Sequence, residues 1–152
     1  MNRDIQALHI TVSYTKLASQ ALFCDGTMKS GSNLVLCVDD EEIGLRVRKI
    51  LLERAGYRVL TAPDGPSALK LFVSEPVEVV VLDYSMPGMN GGEVAVSMRQ
   101  TRPQVPILLL SAYLDLPVEV TSLVDLYMTK GEGAPALLEK LASLLQPVSA
   151  SQ

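Results

Sequence analysis

Residues 33–146 show a regular alternation of short apolar runs and longer amphipathic segments. The apolar runs lie at residues 34–38, 57–61, 79–83, 107–110 and 125–129, and their length and β-branched content predict strands. The second run is more polar than the others, which favours a position near a sheet edge. The third run is apolar up to its last residue, Asp83, as is typical of a central strand buried on both faces.

The amphipathic segments predict helices between the strands. The first helix opens at Glu41 and Glu42, whose charges complement the helix dipole, and it ends at Gly56. Helical spacing predicts that its buried face carries Ile43, Val47, Ile50 and Leu51. Its predicted solvent face carries Arg46, Arg48, Lys49, Glu53 and Arg54.

The other helices are bounded by capping and turn residues. Asp64 is the predicted N-cap of the second helix, with Pro66 in the first turn. The third helix covers residues 93–102 and is stopped by Pro103, and a short, ill-defined helix is expected at 118–123. The last helix covers 134–145, and its apolar stripe consists of Leu137, Leu138, Leu141, Leu144 and Leu145.

Five strand–helix repeats predict an α/β fold with a parallel sheet. Right-handed crossovers leave few arrangements, of which we favour the doubly wound order 2-1-3-4-5. In that order strands one and three are neighbours at the centre. Their carboxyl ends then form a switch point, where open sheets of this kind bind ligands.

The flanks of residues 33–146 differ in composition. Residues 1–32 carry a weak apolar alternation that passes into a Gly- and Ser-rich linker, so we expect a poorly ordered arm, and residues 147–152 form a short tail. Met28 lies in the linker and is a candidate translation start. His9, the only histidine, has no neighbouring cluster of ligands or relay groups, so we assign it no function.

Composition narrows the classes of function. The chain has 152 residues, of which 48% are hydrophobic and 20% charged, which is ordinary for one globular domain. Its net charge of −4 argues against a sequence-independent nucleic-acid surface, and no apolar run is long enough to span a membrane. Cys24 and Cys37 lack the spacing of metal ligands, so we expect reduced thiols and a cytoplasmic location.

Chemically useful side chains follow four of the predicted strands. Asp39 and Asp40 follow strand one, Asp83 ends strand three, Ser111 follows strand four and Lys130 follows strand five. Three neighbouring carboxylates repel unless a cation neutralises them, and oxygen ligands suit Mg²⁺ first. A carboxylate beside Mg²⁺ can attack a phosphoryl donor and form an acyl phosphate. Each residue alone also has an ordinary role, as a cap, turn or surface residue, but their joint placement favours a site.

Four segments resemble the receiver domain of two-component response regulators over residues 33–146. They are residues 34–41 (LVLCVDDE), 81–91 (VLDYSMPGMNG), 106–112 (PILLLSA) and 127–130 (YMTK). The resemblance implies a flavodoxin-like receiver fold in which Asp83 accepts a phosphoryl group. It further implies that Mg²⁺ is held by Asp39, Asp40, Asp83 and the backbone carbonyl of Ser85. Ser111 and Tyr127 would then be the switch residues, and Lys130 would pair with the phosphoryl oxygens.

Two departures from the family pattern concern the region after strand four. Gly131 replaces the proline that usually follows the lysine, so we expect a trans bond between Lys130 and Gly131. The interval between Ser111 and Lys130 is short and contains Pro117, which predicts a shortened or irregular fourth helix. These departures affect the expected output surface more than the phosphorylation chemistry.

The resemblance implies a stand-alone phosphoacceptor receiver, since only a short tail follows the last helix. Its partners would be a sensor histidine kinase or phosphotransfer protein and an unidentified downstream protein, with no nucleic acid or membrane. It would promote only its own phosphotransfer and dephosphorylation and would not be an enzyme of metabolism. One alternative is a degenerate receiver that binds a partner constitutively. Another is a Mg²⁺-dependent phosphatase resembling the haloacid-dehalogenase group, which Ser85 disfavours because that group has a second Asp there.

Overall fold

Strands and helices alternate through residues 32–147, the part of the chain that the computed structural model describes. The strands are β1 (Leu34–Val38), β2 (Arg58–Ala62), β3 (Val79–Asp83), β4 (Ile107–Ser111) and β5 (Leu126–Thr129). The helices are α1 (Glu42–Arg54), α2 (Gly65–Ser74), α3 (Gly91–Thr101), α4 (Val118–Thr121) and α5 (Gly133–Leu145), with a 3₁₀ turn over Lys130–Glu132. The predictions for the N-terminal arm, His9, Cys24, Met28 and most of the tail lie outside the described residues.

The five strands form one parallel sheet in the order β2-β1-β3-β4-β5, which confirms the predicted topology. Val38 pairs with Leu82 across β1 and β3, and Asp83 pairs with Leu110 across β3 and β4. The ends of the three central strands therefore lie side by side, because parallel strands in register finish at the same edge of the sheet.

Both faces of the sheet are covered, and successive strand residues alternate between them. One face packs against α2 and α3 through residues that include Leu36, Phe72 and Met98. The other packs against α1 and α5 through residues that include Val35, Leu52 and Leu141. Leu137 and Leu141 of the predicted α5 stripe are buried, and the stripe's other leucines are partly buried against the same cluster. This double burial explains why the three central strands, β1, β3 and β4, are almost continuously apolar.

Side-chain caps set two of the helix boundaries. The Asp64 carboxylate accepts the Ser67 N–H at 2.7 Å, which confirms Asp64 as the N-cap of α2. At α3, Asn90 and Glu93 form a reciprocal capping box, with N···O distances of 2.9 and 3.0 Å. This helix therefore begins at Gly91, two residues before the predicted start, because the cap is Asn90 and Glu93 is already in the first turn.

The predicted buried face of α1 was wrong except for Leu51, which is partly buried against the core. Leu45 and Leu52 are the buried residues of this helix, whereas Ile43, Val47 and Ile50 are 75%, 59% and 46% exposed. A seven-residue spacing places Leu45 and Leu52 on one face of a helix, and the sheet takes that face. The helix consequently presents an apolar stripe of Ile43, Val47 and Ile50 to solvent.

The fourth helix is short, as predicted, with only the four residues Val118–Thr121. One arginine connects the segments around this helix by hydrogen bonds. The Arg99 guanidinium donates to the backbone carbonyls of Leu123, Pro103 and Val105 at 2.7–2.9 Å. It also pairs with Asp125 at 2.5 Å, and that carboxylate accepts the Ile107 N–H at 2.8 Å. Arg99 thus ties α3 to the connection that leads into β5.

No cis peptide bond occurs within residues 32–147, so the bond between Lys130 and Gly131 is trans, as predicted. In the same part of the chain, every helix is too short or too polar to cross a membrane.

Gly91 allows α3 to begin directly against the end of β3. Its N–H donates to the Tyr84 carbonyl at 2.8 Å. A Cβ atom at this position would collide with the carbonyl oxygen of Asp83 and would lie 2.8 Å from the Cα atom of Tyr84. The backbone around Asp83 therefore requires a glycine at position 91.

We expect Gly91→Ala to lower the free energy of unfolding by about 2–4 kcal/mol, because the colliding atoms are backbone atoms that cannot rotate away. Gly131→Ala is the matched control: a Cβ atom there has no neighbour within 4 Å, so its effect should stay within about 0.5 kcal/mol. Urea unfolding followed by circular dichroism measures both. Equal stability of the two variants would contradict the steric argument.

Candidate functional site

Three carboxylates meet at the carboxyl end of the sheet. Asp39 and Asp40 follow β1, and Asp83 is the last residue of β3. One carboxylate oxygen from each lies within 4.8 Å of the others. Asp39 and Asp83 are buried, whereas Asp40 is exposed. The sequence prediction that these residues converge is therefore confirmed.

Asp83 is almost fully buried. Its Oδ1 atom lies 3.0 Å from the Lys130 ammonium, and its Oδ2 atom has no hydrogen-bond partner among the residues that the structure describes. Burial raises the pKa of Asp83 and the Asp40 charge raises it further, against the lowering by Lys130 and Arg48. The site thus holds a carboxylate whose negative charge is only partly compensated by the protein.

Asp39 is the most heavily contacted of the three carboxylates. Its Oδ1 atom accepts the Glu41 N–H at 2.9 Å. Its Oδ2 atom lies 3.5 Å from the Lys130 ammonium and is paired with the guanidinium of Arg48. Lys130 therefore bridges the carboxylates of Asp39 and Asp83, and it lies in the crevice that its position after β5 predicted.

Arg48 is the site residue that the sequence interpretation missed, because it was assigned to the solvent face of α1. Its side chain is only 15% exposed, compared with 72% for Arg46 on the same helix. The signal was present: Arg48 lies three residues after Leu45 and four before Leu52, so it shares their buried face. A basic residue on that face has to find a buried anion, and Asp39 is that anion.

The remaining predicted residues lie on β4 and β5 and in the loop after β3. Ser111 is buried at the end of β4, and its hydroxyl accepts the Tyr113 N–H at 2.9 Å. Because Asp83 pairs with Leu110, Ser111 lies one residue beyond Asp83 on the adjacent strand. Ser85 is exposed in the loop after β3, and Tyr127 of β5 is 46% exposed.

The donor set suits a hard divalent cation. It consists of carboxylate oxygens. Both oxygens of Asp83 are buried without a hydrogen bond within the described residues, although Oδ1 forms an ion pair with Lys130. Oxygen donors of this kind match Mg²⁺. The nearby thiol is a poor ligand, since Cys37 is fully buried and burial raises its pKa to about 12.

Comparison with known families and proteins gives a consistent result. The family model of the response regulator receiver domain matches residues 35–142. The transcriptional regulatory protein PhoP of Bacillus subtilis, named for alkaline phosphatase synthesis, is 41% identical over 99 residues, which are 63% of this chain and 41% of PhoP. The regulator KdpE of Mycobacterium tuberculosis is 36% identical over 116 residues, covering 74% of this chain and 51% of KdpE. The chain spans about half the length of the curated relatives it matches.

Solved structures of whole receiver proteins are also similar. Chemotaxis protein CheY4 of Vibrio cholerae has a TM-score of 0.72 at 29% identity, covering 76% of this chain and all of CheY4. Response regulator TrrA of Thermotoga maritima, solved with Mg²⁺ and BeF, has a TM-score of 0.71 at 36% identity, covering 74% and 99%. The complex of TrrA with the histidine kinase ThkA gives 0.70 at 34% identity, covering 75% of this chain and 99% of TrrA.

We expect Asp83→Asn to raise the free energy of unfolding in EDTA at pH 7 by about 1–3 kcal/mol, because it removes an incompletely paired buried charge. The pKa of Asp83 is raised in the folded state, so the protonated carboxyl favours the folded chain. This contribution to stability is fully present below the ordinary Asp pKa of about 3.9, and it is lost as the pH rises through the folded-state pKa. The advantage of the asparagine variant should therefore shrink as the pH falls towards 4.

Urea unfolding in EDTA at several pH values measures this difference. Asp115→Asn, at an exposed position outside the cluster, is the control for loss of one carboxylate. An asparagine variant less stable than the parent at pH 7 would show instead that the ion pair with Lys130 outweighs the cost of burial.

Proposed function

This chain belongs to the response regulator receiver family, and on that premise we propose that Asp83 accepts a phosphoryl group from a histidine kinase or phosphotransfer protein. The observation that carries the proposal is the state of Asp83. It is a buried carboxylate at the end of the central strand, with one oxygen paired to Lys130 and the other without a hydrogen bond in the described chain.

The proposed step is a nucleophilic displacement at phosphorus. A carboxylate oxygen of Asp83 forms the new P–O bond, and the bond from phosphorus to the donor breaks, with its electron pair leaving on the donor. For a phosphohistidine donor the leaving group is an imidazole nitrogen. Lys130, 3.0 Å from Oδ1 of Asp83, would hold the phosphoryl oxygens through charge-assisted hydrogen bonds.

Magnesium is the proposed cofactor of this step. Asp39, Asp40 and Asp83 would hold it, with the backbone carbonyl of Ser85 as a further ligand. When bound, the ion supplies neutralisation of the carboxylates and of the negative charge that develops on the transferred group. The similarity to TrrA, solved with Mg²⁺ and BeF, supports the assignment.

The proposed output is a change of surface that follows phosphorylation. Ser111 would turn its hydroxyl from the Tyr113 N–H towards the phosphoryl oxygens, and the half-exposed Tyr127 on the adjacent strand would follow inward. A local charge would thus bias a two-state surface around α4, β5 and α5 that a downstream protein reads. The chain would turn over only its own phosphoryl group.

We expect one phosphoryl adduct after incubation with acetyl phosphate and Mg²⁺, measured by intact-protein mass spectrometry. The adduct should be absent in EDTA and in Asp83→Asn, and present in Asp115→Asn. Asp83 is the cluster carboxylate nearest to Lys130, and its Oδ2 atom has no hydrogen bond within the described residues, whereas both oxygens of Asp39 are already paired.

If no adduct forms and beryllofluoride also fails to bind, phosphorylation is excluded. The chain would then be a degenerate receiver that binds its partner constitutively. An adduct that survives in Asp83→Asn would instead move the acceptor to another residue.

We further propose that the phosphoryl donor approaches over α1. Asp39 and Asp40 immediately precede this helix, and Arg48 of the helix contacts Asp39, so α1 flanks the acceptor pocket. Its exposed stripe of Ile43, Val47 and Ile50 is apolar surface beside that pocket. A partner whose histidine reaches Asp83 would cover this stripe, and burial of apolar surface would supply affinity.

We expect Val47→Ser to slow phosphotransfer from a histidine kinase about tenfold, because roughly 1–2 kcal/mol of apolar contact is lost at the interface. Acetyl phosphate needs no protein contact, so its rate should not change. Val73→Ser is the matched control, since Val73 is 69% exposed on α2 across the sheet. The donor is phosphorylated ThkA or any kinase that phosphorylates the parent chain. Equal slowing by both variants, or with acetyl phosphate, would contradict docking on α1.

A further inference from the structure

Arg48 is a second basic residue of the acidic pocket, in addition to Lys130. Its guanidinium is paired with Oδ2 of Asp39, and its side chain is 15% exposed. A charged side chain is buried at such a position only where an anion compensates the loss of water. The contact is therefore a built feature of the pocket and differs from the exposed ion pair that Arg46 makes with Glu42.

The backbone of α1 leaves room for this contact. Gly44 lies one turn before Arg48, on the same side of the helix. A Cβ atom at Gly44 would lie 3.5 and 3.7 Å from the terminal nitrogens of Arg48 and 3.8 Å from Oδ2 of Asp39. A larger side chain at position 44 would fill the space in which the guanidinium meets the carboxylate.

The contacts of Asp39 make Arg48 and a divalent cation competitors. Oδ1 of Asp39 already accepts the Glu41 N–H, and Oδ2 is shared by Arg48 and Lys130. Two basic side chains thus face three carboxylates before any metal enters. A cation that binds these carboxylates meets repulsion from the guanidinium, which is strong where water is excluded.

We propose that Arg48 is a built-in counter-ion that competes with magnesium for the acidic pocket and gives up Asp39 when the metal binds. The inference rests on the proposed magnesium site. Its consequence is a weaker affinity for Mg²⁺ than the three carboxylates and Lys130 would have by themselves. Without metal, the same arginine compensates the charge of Asp39 and stabilises the fold.

A cavity between α1 and α5 gives the displaced side chain a place to go. It has a volume of about 160 Å³ and is lined by Arg48 and Lys130 together with Val47, Leu51, Met128 and Leu137. The cavity thus adjoins the Arg48 side chain. Rotation of the Arg48 side chain into this cavity would release Asp39 without movement of the helix.

The test is a calorimetric titration of Mg²⁺ into the full chain and into Arg48→Met and Arg46→Met. Methionine keeps an unbranched stem and removes the charge. We expect Arg48→Met to bind Mg²⁺ about tenfold more tightly, the size of effect expected from removing a like charge beside a cation site. Arg46→Met, with the same change in net charge at an exposed position, should match the parent. In EDTA, Arg48→Met should also melt at a lower temperature than Arg46→Met.

The outcomes separate this inference from the proposed function. Equal or weaker Mg²⁺ binding by Arg48→Met, with binding by the parent, overturns the role of Arg48 and leaves the magnesium site intact. No binding by any of the three chains overturns both. Equal tightening by Arg46→Met would show that net charge alone acts, and this also overturns the inference.

A measurement on the parent chain covers the case in which Arg48→Met does not fold. Side-chain ¹⁵N signals of arginine report whether a guanidinium is held by a carboxylate. We expect the Arg48 signal to shift, and to broaden through faster proton exchange with water, as Mg²⁺ is added, while that of Arg46 stays unchanged. An Arg48 signal that does not respond while the backbone signals of Asp39 and Asp83 shift would overturn the inference.

Discussion

The structure depends on the burial of negative charge at the end of its central strand. Asp83 is placed there by a sheet whose two faces are both covered, and it exchanges water for one ion pair with Lys130. Three other features meet at the same pocket. Gly91 leaves room for the backbone at Asp83, Lys130 reaches the pocket from the end of β5, and Arg48 pairs with Asp39. A pocket with uncompensated negative charge favours the binding of positive charge, which is the physical basis of the proposed magnesium site.

Much of the fold follows from local patterns in the sequence. Continuous apolar runs such as residues 79–83 identify strands covered on both faces, and the alternation with helices leaves few topologies. The meeting of Asp39, Asp83 and Lys130 then follows without any knowledge of distances, because parallel strands end at one edge. The same reasoning could not position Ser111 relative to Asp83 beyond their strand register, since a hydroxyl has several local partners and the structure pairs it with Tyr113.

The buried face of α1 is the part of the fold that the hydrophobic pattern predicted wrongly. Ile43, Val47 and Ile50 form a better apolar stripe than Leu45 and Leu52, so hydrophobicity alone selects the wrong side. Two tertiary contacts accompany the observed rotation of the helix. The leucines pack against the sheet, and Arg48 forms an ion pair with the carboxylate of Asp39. Neither contact is local in sequence, although a basic residue in phase with two leucines is a detectable sign that a buried anion lies opposite.

The exposed stripe and the buried arginine are therefore consequences of one rotation. Turning α1 to bury Ile43 and Val47 would withdraw Arg48 from Asp39. Lys130 would then be the basic side chain closest to the acidic pocket. Turning the helix would also remove apolar surface from the helix face over which we propose that the phosphoryl donor approaches. The observed orientation leaves Ile43 and Val47 exposed, buries Leu45 and Leu52, and places the guanidinium of Arg48 against the buried carboxylate of Asp39. The acidic pocket thus shapes the surface beside it as well as the chemistry within it.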